Sequence, residues 1–145
     1  MAHAEGDVTI DRPAATVFDF LLDGMNNPKW RPIVLDIQRV PGTPPGAGAR
    51  FKQGLKGPGG RRIDGDYEIT VSEPNRLIRF QVIAGPARPT GAYRLETAGD
   101  TTHVTLLLEY SPRGLARLMD SMIERTMRAE VAMLANLKAY LEEHT

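Results

Sequence analysis

The last third of the chain constrains the fold more than any other part. A nearly continuous apolar run at residues 102–110 leads into Ser111 and Pro112, and an unbroken helical pattern follows to about Glu143. Serine suits the N-cap of a helix and proline its first turn. Such a helix of some 30 residues would be about 45 Å long, because each residue adds about 1.5 Å. After several short strands, one helix of this length has to cover a whole sheet, and that arrangement leaves space between helix and sheet.

The residues before this helix alternate between apolar and polar side chains and are joined by short turns rich in Gly, Pro and Asn. This pattern predicts an antiparallel sheet with one solvated face. A short amphipathic helix is predicted around Val17 and Leu21, and residues 24–32 predict a turn with at most a short second helix. Residues 57–60 predict a hairpin turn. The predicted strands are residues 8–10, 34–40, 50–56, 63–72, 78–82, 93–96 and 102–110.

Composition limits the possible functions. The 145 residues predict a single domain spanning 1–145, with 41% apolar residues and 18 basic residues balancing 18 acidic ones. A balanced charge gives no general attraction to nucleic acid or to anionic membranes. The chain has no cysteine, so a disulfide framework or a thiolate metal site is excluded. The N-terminal residues lack the pattern of a signal peptide, and we expect a cytoplasmic protein without stable membrane association.

Glu130 is the first candidate site residue. On a helical projection it falls close to the centre of the apolar stripe, one turn after Thr126 and one turn before Met133. A carboxylate there would face the sheet or the space beneath it, where burial raises its pKa unless a cation or hydrogen-bond donors compensate. Glu130 is therefore either an anchor or general acid/base for a ligand, or a member of an internal ion pair.

The other candidates are side chains predicted to face the interior. Flexible methionines suit an adaptable ligand wall as well as an ordinary core. The only tryptophan would either cap the cavity entrance or pack under the short helices, and tyrosine hydroxyls on the inner face need partners. The predicted ligand-binding residues are Trp30, Tyr67, Phe80, Tyr93, Leu106, Leu108, Met119, Met122, Thr126, Glu130 and Met133.

Other kinds of site find little support in the residues. His103 is predicted to face outward, and no two histidines share a plausible site, so we expect no metal. No nucleophile elbow, phosphate loop or dinucleotide fingerprint occurs, and no cofactor is expected. The basic pairs Arg31/Arg39 and Arg61/Arg62 are predicted to be solvated.

The order of elements and four segments resemble the polyketide cyclase/dehydrase and lipid-transport branch of the START-like (SRPBCC) superfamily. The segments are residues 10–18, 27–32, 71–78 and 99–105. The resemblance implies an α+β helix-grip fold. In this fold a curved seven-stranded antiparallel sheet wraps around a long C-terminal helix, with two short helices between the first two strands and an apolar cavity inside. It does not fix the chemistry, because one fold hosts many functions.

Two functions follow as the main hypotheses. The first is binding of a small hydrophobic ligand, lipid-like or polyketide-like, by a monomer or homodimer, with Glu130, Thr126 and a tyrosine hydroxyl orienting the ligand. The second is an aromatase/cyclase-type enzyme that uses Glu130 and a tyrosine for proton transfer. The sequence offers this enzyme one inward carboxylate and no inward histidine or arginine. A protein–protein module is a third reading, for which the polar outer helix face offers no apolar patch.

Overall fold

The structure is a computed structural model that describes residues 2–85, 87–110 and 120–145, without the side chains of Asp120 and Met122. The predicted start of the long helix, with Ser111 and Pro112, and the candidate Met119 lie outside the described residues. The elements are β1 (Ala2–Ile10), α1 (Ala14–Leu22), a 3-10 helix (Gly24–Lys29), β2 (Val34–Arg39), β3 (Arg50–Lys56), a 3-10 turn (Pro58–Gly60), β4 (Arg62–Asp64), β5 (Tyr67–Glu73), β6 (Leu77–Val82), β7 (Thr90–Ala98), β8 (Thr101–Tyr110), α2 (Asp120–Ala132) and α3 (Leu134–His144).

Across the described residues, seven strands form one curled antiparallel sheet in the order β1-β8-β7-β6-β5-β3-β2, and the short β4 also pairs with β3. The predicted helix-grip fold is confirmed. The first strand is longer than expected, since it starts at Ala2 instead of Val8 and pairs with β8 along its whole length. Small residues such as Ala2, Ala4 and Gly6 carry a weak strand signal, so the alternation did not reveal this part of the strand.

The prediction of one strand over residues 63–72 is wrong, because the chain breaks at Gly65 and Asp66 into β4 and β5. At this point the hydrogen bonds no longer follow the regular pattern between neighbouring antiparallel strands. The amide of Gly65 donates to the Gln53 carbonyl at 2.8 Å, and the amide of Gln53 donates to the Asp66 carboxylate at 3.1 Å. A Cβ atom on residue 65 would lie 2.5 Å from Cδ1 of Leu55, so a larger residue here would require the Leu55 side chain to move.

The predicted long C-terminal helix is confirmed within the described residues, with an interruption of one residue, Met133, between α2 and α3. The amide of Met133 donates to the Glu130 carbonyl at 3.1 Å, a tighter three-residue turn than in an α-helix. The sequence contains no helix breaker at this point. Just before it, α2 packs against β1, where a Cβ atom on Gly6 would clash with the side chain of Val131.

The core lies between the inner face of the sheet and the helices. Alternate residues of the strands and the inner stripe of α3 are fully buried in it. The end of α3 is tied to the chain before α1, since the Asp11 amide donates to Glu142 at 2.8 Å and Arg12 donates to Thr145 at 2.9 Å. The largest of the fully buried residues are Phe51, Ile10, Ile69, Ile78, Leu108, Leu137 and Leu141.

Candidate functional site

A cavity of about 230 Å³ lies between the inner face of the sheet and α2. Its volume exceeds the roughly 150 Å³ that hold one benzene molecule in a protein core. Most of its wall is apolar, and Asp64, paired with Arg62 at 3.0 Å, lines it in addition to the polar side chains named below. The apolar part includes Leu21, Leu55, Ile63, Ile69, Ile78, Phe80, Val82, Leu106, Leu108, Ile123 and Met127, and the polar part includes Asn27, Arg31, Gln53, Tyr67, Tyr93, Thr126 and Glu130.

A row of five aromatic rings runs across the strands, and its three central rings, those of Tyr67, Phe80 and Tyr93, line the cavity. Successive ring centroids are 5.2, 5.9, 5.7 and 6.4 Å apart, distances at which aromatic rings attract each other. Pairing of neighbouring antiparallel strands produces the row, because it brings inward residues of β3, β5, β6 and β7 side by side. The row consists of Phe51, Tyr67, Phe80, Tyr93 and Trp30.

Arg31 and Glu130 form an ion pair in the cavity wall. Nη2 of Arg31 lies 3.0 Å from Oε1 of Glu130, and the two side chains are only 13% and 19% exposed. The prediction that Arg31 is solvated is therefore wrong. The statement that the sequence offers no inward arginine is wrong for the same reason. Burial is the largest single effect on Arg31 and acts to lower its pKa, but the charge of Glu130, the nearby Tyr93 and Tyr67 and the hydrogen bond to Glu130 together outweigh it, and the pKa is raised. The guanidinium stays charged, and the pair has no net charge.

A buried amide network holds the hydroxyl of Tyr67. The Nδ2 group of Asn27 donates to Oε1 of Gln53 at 3.0 Å and to the Tyr67 hydroxyl at 3.1 Å. Gln53 in turn donates to the Gly65 carbonyl at 3.3 Å. The Tyr67 oxygen thus accepts one hydrogen bond, and among the described residues its own hydrogen has no acceptor. That hydrogen is available to a further acceptor.

The two inward tyrosines are neutral hydrogen-bond donors near physiological pH. Burial raises the pKa of Tyr67 to about 12, against a smaller opposing effect of the hydrogen bond from Asn27. Burial also raises the pKa of Tyr93, against the opposing charge of Arg31. The Tyr93 ring is buried and lines the cavity, and its hydroxyl makes no hydrogen bond within the described part of the chain.

The structure brings seven of the eleven predicted ligand-binding residues to the cavity wall. Trp30 and Met133 lie instead in the packed core outside the wall. Trp30 packs edge-on against Tyr93, and its buried Nε1 group has no hydrogen-bond partner among the described residues. Met119 and the side chain of Met122 lie outside the described residues. The seven residues in the wall are Tyr67, Phe80, Tyr93, Leu106, Leu108, Thr126 and Glu130.

Sequence reasoning missed four polar residues of the wall, namely Asn27, Arg31, Gln53 and Asp64. Gln53 had a usable signal, because it alternates with Phe51 and Leu55 on the inward face of β3. Arg31 and Asn27 had none. They lie in a segment rich in helix breakers, where no periodicity tells inward from outward side chains.

The described residues show no metal centre and no membrane-spanning helix. His103 faces outward, and its ring nitrogens contact Asp7 at 2.9 Å and Thr9 at 3.0 Å. No group of three or more metal-ligating side chains occurs in the described ranges. None of the described helices is both long enough and apolar enough to cross a membrane.

The comparison with protein families identifies the chain. The family model described as polyketide cyclase / dehydrase and lipid transport matches residues 1–142. The chain therefore belongs to this family, and the resemblance to START-like proteins is confirmed. No curated protein matches the sequence.

Solved structures of distant sequence share the fold. A protein from Thermus thermophilus matches 99% of this chain over 99% of its own length, with 19% identity and a TM-score of 0.80. A START superfamily protein from Mycobacterium smegmatis matches over 100% of both chains, with 16% identity and a TM-score of 0.77. The di-domain ARO/CYC BexL of the BE-7585A biosynthetic pathway matches 98% of this chain over 47% of its own, with 23% identity and a TM-score of 0.77. At these identities the likeness shows the fold alone.

Proposed function

We propose that this protein binds a small, mostly apolar ligand, aromatic or lipid-like, in the cavity between the sheet and α2. The observation that carries the proposal is a cavity of about 230 Å³ with a mainly apolar wall that also carries a cluster of polar side chains around the Arg31–Glu130 pair. Small-molecule sites combine these two features, because apolar area supplies the affinity and a few polar groups fix the orientation. Each Å² of apolar surface removed from water contributes about 25 cal/mol.

The polar cluster orients the ligand in this proposal. Arg31 and Glu130 stand together on one side, and the hydroxyls of Tyr67 and Tyr93 stand at the aromatic row. Thr126 lies one turn before Glu130 on α2 and also lines the cavity. An apolar ligand body against Leu106 and its neighbours would leave one polar end facing this cluster.

The test is binding of 2-acetylnaphthalene, measured by equilibrium dialysis. Val82 lines the cavity, so Val82→Phe is expected to reduce the affinity at least about tenfold by filling space that the ligand needs. Ile83, the next residue, is 38% exposed and lies outside the wall, so Ile83→Phe is the matched control and should bind like the native protein. Circular dichroism verifies that both variants fold. Equal affinity of the two variants, or no binding by the native protein, would contradict the proposal.

A second candidate function is cyclase-type catalysis, and the Arg31–Glu130 contact favours it. A carboxylate beside a guanidinium can remove a proton from the carbon next to a ketone while the electron pair moves onto the ketone oxygen, where the guanidinium stabilises it. The carbanion equivalent formed in this way is the nucleophile of an aldol-type ring closure.

Deuterium exchange tests this second function. If Glu130 acts as the base, the methyl protons of bound 2-acetylnaphthalene exchange with D₂O faster than in buffer alone, and Glu130→Gln abolishes the gain. Exchange at the buffer rate with native protein under saturation would reject the catalytic role and leave the binding function untouched.

We keep the expected biological setting as part of the proposal. The protein would act in the cytoplasm as a monomer or homodimer, with a small molecule as its partner and without nucleic acid, metal or cofactor. The formal net charge of zero supports the absence of nucleic-acid binding, because proteins that bind nucleic acid carry an excess of positive charge. Light scattering of the purified protein, with and without added DNA, tests the oligomeric state and the nucleic-acid part together.

A further inference from the structure

We infer that the cavity selects neutral ligands that carry a hydrogen-bond-accepting oxygen, such as ketones, and discriminates against carboxylates of the same shape. This inference rests on the proposed binding function and deepens it. It depends on two properties of the polar cluster, its charge balance and its surplus of donors.

The charge balance comes from the ion pair. Arg31 is the one cationic side chain in the cavity wall described by the structure, and Glu130 already neutralises it at 3.0 Å. The other carboxylate of the wall, Asp64, is paired with Arg62 at 3.0 Å and adds no positive charge. A ligand carboxylate that reached Arg31 would bring a second anion to one cation in a mostly buried place. It would either repel Glu130 or displace it from its partner, and both outcomes leave an uncompensated buried charge. A neutral ligand oxygen meets no such cost.

The surplus of donors comes from three side chains. Within the described residues, the Arg31 guanidinium makes a single hydrogen bond, to Glu130, so further N–H groups remain unused. The Tyr93 hydroxyl has no partner there, and the hydrogen of the Tyr67 hydroxyl has no acceptor. Donors without acceptors in a buried wall favour a ligand that supplies an accepting oxygen. A purely apolar ligand would leave all three donors unsatisfied.

Three probes of one shape separate these contributions: 2-acetylnaphthalene, 2-naphthoate and 2-ethylnaphthalene. The ketone offers a neutral acceptor, the carboxylate an ionised one at pH 7.5, and the hydrocarbon none. Equilibrium dialysis with native protein should show the ketone binding at least about tenfold more tightly than the carboxylate, and more tightly than the hydrocarbon. If the carboxylate binds as tightly as the ketone, or the ketone only as tightly as the hydrocarbon, the inference is overturned while the proposed binding function stands. Absence of binding by all three probes overturns both.

One variant tests the ion pair as the cause. Glu130→Gln keeps the shape of the side chain and removes its charge, so Arg31 becomes an unpaired cation and the carboxylate should gain at least about tenfold in affinity relative to the ketone. The matched control is Glu124→Gln on the same helix, whose partner Arg128 is exposed, and it should keep the native selectivity. If Glu130→Gln also keeps the native selectivity, or if both variants change it equally, the inference fails. If Glu130→Gln does not fold, the three-probe comparison on native protein still decides.

Discussion

Nη2 of Arg31 lies 3.0 Å from Oε1 of Glu130, and this contact joins the loop before β2 to α2, on which Glu130 lies. The two residues are 99 positions apart in the chain. The pair therefore has two effects: it places polar groups in the cavity wall, and it links α2 to the loop that precedes β2, the edge strand of the sheet.

Arg31→Met should destabilise the protein by about 2 kcal/mol, because it leaves the mostly buried Glu130 carboxylate without its cation. The measurement is the free energy of unfolding from urea denaturation. The double variant Arg31→Met/Glu130→Leu should recover much of the loss, since replacing both partners removes the unpaired charge. The control is Arg128→Met, which breaks the exposed pair with Glu124 and should cost less than about 0.5 kcal/mol. Equal losses of unfolding free energy for Arg31→Met and Arg128→Met would show that the buried pair contributes no more to stability than the exposed one.

Asn27→Ala should cost about 2 kcal/mol of unfolding free energy. The substitution removes the shared donor of two buried acceptors, Oε1 of Gln53 and the Tyr67 hydroxyl. Asn136→Ala is the comparison, because exposed Asn136 makes one hydrogen bond, to the Trp30 carbonyl, and its loss should cost less than about 1 kcal/mol. Urea denaturation of both variants gives the two losses of unfolding free energy. If the losses are equal, the buried amide network does not stabilise the protein in the way described.

The stability of the protein should fall in alkali partly because of Tyr67. Its pKa is raised to about 12 by burial, whereas in the unfolded chain a tyrosine titrates near about 10. Below about pH 10 both states hold the proton and the group contributes no pH dependence; above it the unfolded state ionises first and stability is lost. Tyr67→Phe should therefore lose less stability than the native protein between about pH 9 and pH 11. Identical losses in urea midpoints over this range would contradict the shifted pKa.

Leu137→Ala should destabilise the protein by about 3 kcal/mol, because Leu137 is fully buried where α3 packs on the core and truncation leaves a cavity. Leu35→Ala removes the same atoms from a residue that is 50% exposed and should change stability by less than about 0.5 kcal/mol. Thermal unfolding of the two variants in parallel provides the comparison. Similar shifts in melting temperature would mean that α3 does not pack on the core as described.

The fold was predictable from the sequence wherever periodicity was strong. Alternation in β6 and β8 placed Ile78, Phe80, Leu106 and Leu108 on the inner face, and the structure agrees. Periodicity did not reveal two local interruptions. The strand predicted over residues 63–72 is interrupted at Gly65 and Asp66, and the long helix is interrupted at Met133, in a stretch whose own sequence favours a continuous helix.

The candidate site was predictable only in part. The projection of Glu130 onto the apolar stripe identified an inward carboxylate, and an internal ion pair was one of its two predicted roles. Its partner Arg31 could not be identified, because a loop has no period and an arginine is solvated in most proteins. Trp30 shows the same limit, since either of its predicted roles was compatible with a segment bounded by Pro28 and Pro32.

The most direct measurement of the central claim is an isotope-filtered NMR experiment on labelled protein with unlabelled 2-acetylnaphthalene. Nuclear Overhauser contacts report protons within about 5 Å of the ligand. If the ligand occupies the cavity, contacts appear to Leu106, Leu108 and the rings of Tyr67, Phe80 and Tyr93, all of which line it. Contacts confined to exposed side chains such as Met25 and Leu35, with none to these five residues, would contradict a ligand-binding interior.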